Sequence, residues 1–322
     1  MAFFQNNKYD KIIKDFSNSY NLIPNSFKSL EQDASFRRYS RINTNKGNYL
    51  IMDCFDEQSS FAPFLQIQHL LKSNDILVPE VFLVDSENFL AVIQDLGDSK
   101  MKDVVAYKDI EQQYQYYLKA LQLMQQIQSI SVDQEFPKYS DDKLLKGIKT
   151  FVNWYLSYRN ITASEDEKID FMELWQKSFE YLSKTNLVLN LLDFHVENLM
   201  LYNDQLYAID FQDAHLSWPS YDLASILQDA RYEIPSELAL QLFNDYCNII
   251  NINSNIMVVD YNIIGAQRNA RILGIFACKY IQDKNDKYLP LMPLVLKYLK
   301  ENLNAIDALT PIKMWLINKG VL

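Results

Sequence analysis

Two hydrophobic patterns divide the chain near residue 100. Residues 35–96 contain four strand-like stretches, and a polar turn at Ser86–Asn88 separates the last two. The stretches are SFRRYSRI, NYLIMDCF, VPEVFLVD and FLAVIQDL. Between the second and the third, apolar side chains such as Phe64, Ile67 and Leu71 lie near one helical face. The pattern predicts a small antiparallel sheet that is crossed by one helix.

Helical periodicity dominates after residue 105, with one exception. Residues 187–211 have the pattern of short strands joined by tight polar turns, and Asn203-Asp204 predicts a hairpin turn between NLMLY and QLYAIDF. The run Asp95-Leu96-Gly97-Asp98 interrupts the earlier strand pattern and is the candidate hinge. The sequence therefore predicts an α+β protein. Its N-terminal lobe spans residues 1–97 and holds the sheet, and its larger, mainly helical C-terminal lobe spans residues 98–322.

Composition narrows the function classes. The 322 residues include 48% hydrophobic residues, which is enough for a large core, and carry a net charge of −10. Negative charge argues against a nucleic-acid partner, because such binding depends on clustered Lys and Arg. No apolar run of about 18 residues predicts a membrane span, and the N-terminus lacks the pattern of a secretory signal. We therefore expect a cytoplasmic protein that binds neither nucleic acid nor membrane and has no evident obligate protein partner.

The residues that carry chemistry lie in the exceptional segment. Asp193 is followed five residues later by Asn198, and Asp210 closes the next strand. Phosphoryl transfer from ATP needs a carboxylate that deprotonates the accepting hydroxyl, together with oxygen ligands for magnesium. Asp193 is the candidate base, and Asn198 and Asp210 are candidate magnesium ligands that the hairpin should bring together. Each could instead stabilise a turn, but their combined spacing favours the functional interpretation.

Three further candidates have two interpretations each. His195, two residues after Asp193, could brace the loop or contact a phosphate of the bound substrates. Arg37 and Arg38 follow Ser35 along a predicted strand that also carries Arg41. These arginines could simply lie on a solvated face, or one of them could neutralise ATP phosphates together with the backbone N–H groups of the loop at Ser35. The second arrangement would replace a Gly-rich phosphate loop, because the chain has only 6 Gly and contains no such motif.

Several motifs together indicate a family. LLDFHVENLM and YAIDFQDA resemble the aminoglycoside phosphotransferase superfamily, whose members share the bilobal protein-kinase-like fold. Further stretches resemble the anomeric N-acetylmuramate/N-acetylglucosamine kinases of cell-wall recycling, in the same order from about residue 30 to residue 316. They are QDASFRRYSRI, YLIMDCF, IQDLGD, IDFQDAHLSWPSYDLASILQDAR, RNARILGIFACKY and KYLPLMPLVLKYL. The resemblance implies ATP- and magnesium-dependent phosphorylation of the anomeric hydroxyl of an N-acetylated amino sugar.

The resemblance also implies roles for single residues. It again makes Asp193 the base and Asn198 and Asp210 the magnesium ligands. It also places Asp95 and Leu96 at the hinge beside adenine. Asp213 becomes a candidate sugar contact, and His195 joins it as a candidate substrate-binding residue. Asp222 is expected to be a helix N-cap that steadies the loop above it.

Two departures from the family pattern leave alternatives open. Leu191-Leu192 stands where members of the family usually carry a polar pair before the catalytic Asp, and Gln32 replaces a common Gly. The acceptor could therefore be another small hydroxyl compound, such as choline or an aminoglycoside. The chain could also be a nucleotide-binding regulator that has lost catalysis, although such a protein would have no chemical need for the base Asp193.

Overall fold

Each of two structural units is built from two separate parts of the chain. A computed structural model describes residues 8–20, 22–23, 27–30, 37–133 and 135–322. The first unit comprises Met1–Lys100 and Leu199–Asp213, and the second comprises Met101–Asn198 and Ala214–Leu322. The chain therefore leaves the second unit directly after Asn198 and returns to it at Ala214.

The first unit contains a five-stranded antiparallel sheet and a separate two-stranded hairpin. The sheet has the strand order β1-β2-β3-β5-β4. The elements of the first unit are α1 (Asp10–Ser17), β1 (Lys28–Ser29), β2 (Arg38–Thr44), β3 (Gly47–Asp53), α2 (Phe61–Ser73), β4 (Val81–Asp85), β5 (Leu90–Gln94), and the hairpin strands β7 (Leu199–Tyr202) and β8 (Gln205–Ala208). The four predicted strands and the helix between them are present. Helix α1 has no counterpart in the sequence prediction.

Helix α1 completes a hydrophobic core on one face of the sheet. Phe16 of α1 lies with Tyr49 and Ile51 of β3 and with Val92 of β5, and all four side chains are buried. Alternate residues of a strand point to opposite faces, so the two β3 residues project to the same side of the sheet. The ring of Phe16 meets that of Tyr49 edge-on, with the centroids 5.0 Å apart. The helix thus covers apolar strand positions that would otherwise face water.

The hairpin is fixed by its turn and by backbone bonds to the rest of the first unit. Asn203 and Asp204 have φ values of 50° and 61°, as a two-residue turn with both central residues left-handed requires. The register pairs Leu199 with Ala208. The Ala208 N–H donates to the Leu77 carbonyl at 2.9 Å. This bond holds the strand that leads to Asp210 against the first unit.

The second unit is mainly helical. One small sheet pairs β6 (Val188–Asn190) with β9 (His215–Ser217). The helices are α3 (Met101–Val105), α4 (Ile110–Gln128), α5 (Asp141–Thr150), α6 (Leu156–Tyr158), α7 (Glu165–Phe179), α8 (Ser220–Leu227), α9 (Ser236–Ile249), α10 (Ser254–Asp283), α11 (Met292–Ala305) and α12 (Thr310–Asn318). The α+β class predicted from the sequence is confirmed. Within the described ranges, no helix is long and apolar enough to span a bilayer.

Helix α10 is the long central element of the second unit. A Cβ added at Gly274 would lie 2.5 Å from the Phe151 backbone nitrogen, so only glycine permits this close helix crossing. Phe151–Tyr155 forms a π-helical turn between α5 and α6, a feature often found near functional sites. Two polar residues of α10 also bond outside the helix, since Gln267 donates to the Leu144 carbonyl of α5 and Asp260 accepts the Ser183 N–H before β6.

Candidate active site

Asp193 lies in a loop of the second unit that closes on itself through backbone groups. The loop follows β6, and the Asp193 side chain is half-buried. The Asp193 carbonyl accepts the backbone N–H of His195 at 3.0 Å and the Asn198 side-chain amide at 2.9 Å. The Asn198 N–H in turn donates to the His195 carbonyl at 2.8 Å. The two candidate chemical residues of this loop are therefore held in one tight turn.

The bond from Asn198 also fixes the direction of its amide. Because Nδ2 donates to the Asp193 carbonyl, the oxygen Oδ1 is the atom left to accept or to coordinate a cation. Oxygen ligands of this kind suit Mg²⁺. Asn198 is thus oriented for the metal-binding role predicted for it.

The buried carboxylate of Asp222 holds the start of the loop. It accepts the backbone N–H groups of Leu191 and Leu192 at 2.7 Å and 2.9 Å. Burial raises the pKa of Asp222 to about 7, the charge of Asp193 adds to the rise, and the two N–H bonds oppose it. The expectation that Asp222 steadies the loop is confirmed. Its assignment as the N-cap of α8 is wrong, because Pro219 occupies that position and Asp222 lies inside the first turn.

These bonds also account for the departure at Leu191-Leu192. Both side chains are buried, so they contribute packing where a polar pair would contribute hydrogen bonds. Leu192 adopts a left-handed φ of 69°, a conformation that costs about 1 kcal/mol or more for a residue with a Cβ. The Ser225 hydroxyl donates to its carbonyl at 3.1 Å. Backbone bonds to Asp222 and Ser225 therefore brace the loop without a polar pair.

A second buried carboxylate supports the middle of the loop. Asp229 accepts the Val196 N–H at 3.1 Å and also contacts the Arg231 guanidinium. Arg231 lies 2.9 Å from Glu197, which also contacts Lys102 at 2.7 Å. Burial raises the pKa of Asp229, and the adjacent Arg231 limits the rise. The loop is thus anchored at both ends and in the middle.

Two arginines of α10 that the sequence analysis did not single out lie inside the second unit. Arg268 is buried and Arg271 is half-buried. Burial lowers the pKa of Arg268, and Tyr221 and Asp193 partly offset this effect. Tyr221 raises the pKa of Arg271 most, and Tyr139 and Asp193 add to the rise. The signal in the sequence that could have identified them is the run RNAR at residues 268–271, where two arginines interrupt an otherwise apolar helical pattern.

Asp210 lies in the first unit, two residues beyond the end of β8. It has a left-handed φ of 61°, and its Oδ1 forms an ion pair with the buried Arg37. Arg37 also donates to Gln212 Oε1 at 2.7 Å. Arg38 instead is exposed and pairs with Asp56. The two neighbouring arginines thus differ, since Arg37 belongs to the candidate site and Arg38 lies on a solvated face.

The hinge residues are tied by another arginine of the first unit. Arg41 contacts both oxygens of the buried Asp95, at 2.5 Å and 2.9 Å, and also pairs with Asp98 at 2.9 Å. Hydrogen bonds to Asp98 and Asp95 raise the pKa of Arg41. Because the Asp95 side chain is occupied, a ligand at the hinge would meet backbone groups of Asp95 and Leu96. A cavity of about 540 Å³ opens here, with Arg41, Asp95, Gly97 and Tyr202 among the residues that line it.

The remaining predicted residues lie in different surroundings. His195 is buried, with its Nε2 3.4 Å from the Asn198 amide nitrogen, inside the loop that contains Asp193. Asp213 is exposed and accepts from the Gln212 amide at 2.8 Å. Ser35 lies outside the described residues.

Comparisons with known proteins identify the family. A model of the phosphotransferase enzyme family, APH, matches residues 26–254. An N-acetylmuramate/N-acetylglucosamine kinase of Neisseria meningitidis serogroup B is 29% identical over 302 residues, which cover 88% of each chain. The kinase of the same name from Pseudomonas putida is 26% identical over 293 residues, covering 88% of this chain and 86% of that one.

Solved structures identify the fold. The ADP-bound aminoglycoside phosphotransferase APH(2'')-Ib superposes with a TM-score of 0.63 and 14% identity, over 93% of this chain and 99% of that chain. At this identity the likeness concerns the fold alone. The protein-kinase-like fold that the sequence motifs implied is confirmed.

Proposed function

Because the chain belongs to the phosphotransferase enzyme family, we propose that it transfers the γ-phosphate of ATP to the anomeric hydroxyl of N-acetylmuramate or N-acetylglucosamine. The two relatives described above carry both sugars in their name and match nearly nine-tenths of the chain. The observation that carries the proposal is the braced loop of Asp193. It carries the half-buried Asp193 on a backbone that is fixed by hydrogen bonds within the loop.

Asp193 is the proposed base. Its carboxylate accepts the proton of the sugar hydroxyl as that oxygen attacks the γ-phosphorus, and the bond from this phosphorus to the bridging oxygen of ADP breaks. A base of this kind contributes about 10²- to 10⁴-fold to the rate. The bonds from Asn198 and His195 to the Asp193 carbonyl hold the backbone from which the carboxylate projects before substrate arrives.

Asn198 and Asp210 are the proposed magnesium ligands. The described residues contain no cluster of three or more His, Cys, Asp or Glu side chains that could hold a metal by themselves. Asn198 and Asp210 nevertheless each offer an oxygen of the type that Mg²⁺ binds, and this ion usually keeps several waters and takes further oxygens from substrate phosphates. When bound, the ion supplies positive charge that neutralises the phosphate oxygens. Arg37 engages one oxygen of Asp210 and so holds this ligand in place.

ATP is proposed to bind the first unit. The adenine would meet the backbone of Asp95 and Leu96 beside the hinge cavity, because the Asp95 side chain is occupied by Arg41. Arg37, together with the loop around Ser35, would neutralise the phosphates. Arg38 is proposed to contact the ATP phosphates from the protein surface. Because it already pairs with Asp56, it should bind them more weakly than Arg37 does. Membership of the phosphotransferase enzyme family supports the use of a nucleotide as phosphate donor.

The acceptor is proposed to bind beside Asp193 in the second unit, with His195 bracing the loop. Asp213, the last residue of the first unit, is the proposed sugar contact that was derived from the sequence. Arg268 and Arg271 bring two guanidinium groups into the interior of this unit. They disfavour choline and aminoglycosides as acceptors, because these molecules are themselves cationic. The reaction is proposed to belong to peptidoglycan recycling in the cytoplasm, with no partner beyond ATP and the sugar.

Release of ADP tests the proposed function. The purified protein would be supplied with ATP and magnesium and offered N-acetylmuramate, N-acetylglucosamine, choline and kanamycin in parallel, with Asp193→Asn as the control. We expect turnover with an N-acetyl sugar that is lost in the variant. ATP binding without turnover on any acceptor would contradict the proposal and would favour a regulatory nucleotide-binding protein.

A further inference from the structure

Arg268 and Arg271 form a pair of cations in the interior of the second unit. They are three residues apart on α10 and therefore share one face of the helix. Arg268 is 3% exposed, and an arginine is rarely buried so deeply unless it is paired. Tyr139, which accepts a hydrogen bond from Arg271, meets the Tyr221 ring with the centroids 5.0 Å apart. The residue after Tyr221 is Asp222, which holds the start of the Asp193 loop. The pair is thus linked through packed side chains to the loop of the proposed base.

The hydrogen-bonding capacity of the pair is only partly used. Nη1 of Arg271 donates to the Tyr139 hydroxyl at 2.8 Å. Within the part of the chain that the structure describes, the buried Nη1 of Arg268 and Nε of Arg271 have no hydrogen-bond partner. Neither guanidinium there has a carboxylate oxygen within 4.0 Å. A buried donor without a partner destabilises the fold, and an unpaired buried charge does so more strongly.

The surroundings of Arg271 add to the positive charge. Lys143 of α5 contacts the His215 ring, and that ring meets Tyr139 edge-on with the centroids 6.1 Å apart. A Cβ at Gly147 would lie 3.1 Å from Cδ of Arg271, so the glycine leaves room for the arginine stem. Cations therefore collect around Tyr139 although the chain carries a net charge of −10. Such a site suits an anionic ligand.

We propose that Arg268 and Arg271 bind the carboxylate of the lactyl ether of N-acetylmuramate and so favour this sugar over N-acetylglucosamine. The inference rests on the proposed function. The two sugars share the anomeric hydroxyl and the N-acetyl group, and they differ only by this ether and its carboxylate. Arginine matches a carboxylate with two parallel N–H donors, and the unused donors of the pair supply that need.

Steady-state kinetics of Arg271→Met with both sugars test the proposal. Loss of a charge-assisted contact should lower kcat/KM for N-acetylmuramate by roughly 10- to 100-fold and change it by less than about 3-fold for N-acetylglucosamine. Arg271→Lys keeps the charge without the planar fork, so its loss should be intermediate. Lys149→Met, which removes an exposed cation from α5, should affect both sugars equally and little.

Equal losses for both sugars in Arg271→Met would overturn the proposal and would instead indicate a contact with the transferred phosphate. Arg268→Gln is the second variant, and circular dichroism would check its folding. Thermal shift without ATP gives a readout independent of turnover. N-acetylmuramate should stabilise the wild type more than N-acetylglucosamine does, and Arg271→Met should abolish that difference. If the wild type turns over neither sugar, the proposed function fails. The thermal-shift difference then still decides whether the arginines bind the carboxylate, and its absence would refute the inference.

Discussion

The proposed base and one proposed magnesium ligand are held by opposite kinds of contact. In the second unit, the loop of Asp193 is fixed by backbone N–H groups that donate to the buried carboxylates of Asp222 and Asp229. In the first unit, Asp210 is fixed by the guanidinium of Arg37. The second-unit contacts depend on the backbone, whereas the first-unit contact depends on one long side chain. The difference indicates where substitutions should abolish activity and where they should tune substrate binding.

The role of each contact follows from its chemistry. Bonds from backbone N–H groups to a buried carboxylate hold a loop in one conformation, and this suits a base that must be within reach of a hydroxyl proton. An arginine that faces an acid supplies charge and can also bind phosphate. We therefore expect the second-unit contacts to control kcat and the first-unit arginine to control KM for ATP.

Asp193→Asn should have the largest effect. Removing the base should lower kcat by roughly 10²- to 10⁴-fold, because the amide cannot accept the proton. The loop should stay folded, since its bonds run through the Asp193 carbonyl and not through the side chain. ADP release at saturating sugar and a thermal melt would measure both. A melting temperature several degrees lower would show that the side chain is structural and would weaken its assignment as the base.

Asp222→Asn should have the second largest effect. An amide keeps one acceptor oxygen but presents an NH₂ group toward one of the two N–H donors. Leu191 or Leu192 should then lose its bond, and we expect kcat to fall about 10-fold, as misplacement of a catalytic group does. The KM for ATP should change little. An unchanged kcat would mean that the loop does not depend on this brace.

The same variant should change the dependence of stability on pH. The pKa of Asp222 is about 7 in the fold and about 4 in the unfolded chain, so the unfolded state ionises first as pH rises. The free energy of unfolding should therefore decrease between about pH 4 and pH 7, by up to a few kcal/mol, and then level off. Asp222→Asn should flatten this slope. Urea unfolding of both proteins at several pH values would show whether the slopes differ, and identical slopes would contradict the assignment.

Arg37→Met and Arg38→Met form a matched pair with a smaller effect. Loss of Arg37 removes the ion pair with Asp210 and a proposed phosphate contact, so KM for ATP should rise about 10-fold. Loss of Arg38 removes an exposed pair with Asp56, which contributes little, and KM should change less than about 2-fold. Initial rates over a range of ATP concentrations would separate the two variants. Equal changes in KM for ATP would mean that the buried Arg37 contributes no more to ATP binding than the exposed Arg38.

Asp204→Gly should have the smallest effect. Asp204 has φ 61° in the turn of the hairpin that leads to Asp210, and glycine is preferred at this position of such a turn. We expect stabilisation of roughly 0.5 kcal/mol with unchanged kcat, because relief of the left-handed strain exceeds the entropic cost of adding a glycine. Asn203→Ala should act in the opposite direction, because alanine disfavours a positive φ. Chemical denaturation of both variants would test the pair.

Local sequence patterns predicted the elements of the fold well. The strand-like hydrophobic pattern predicted β2 to β5, and Asn203-Asp204 predicted the hairpin turn. Both signals depend only on residues that are close in sequence. Helix α1 was missed, although Phe16 is buried against the sheet. Its eight residues are too few for periodicity to stand out, and its stability comes from tertiary packing.

The candidate site was predictable where its residues are close in sequence. Asp193 and Asn198 share one loop, and their spacing alone indicated a joint role. Arg41 contacts Asp95 from a strand 54 positions earlier, and Arg271 donates to the Tyr139 hydroxyl from a helix 132 positions later. Only the folded chain brings such residues together. The mistaken N-cap at Asp222 has the same origin, because its partners lie about 30 positions upstream.

The central claim is that the protein phosphorylates an N-acetyl amino sugar at its anomeric hydroxyl, with Asp193 as the base. Phosphorus-proton correlation NMR of the product formed from N-acetylmuramate, ATP and magnesium tests this claim most directly. We predict a phosphomonoester whose phosphorus couples to the anomeric proton, formed by the wild type and not by Asp193→Asn. Coupling to any other sugar proton, or equal product from the variant, would contradict the account.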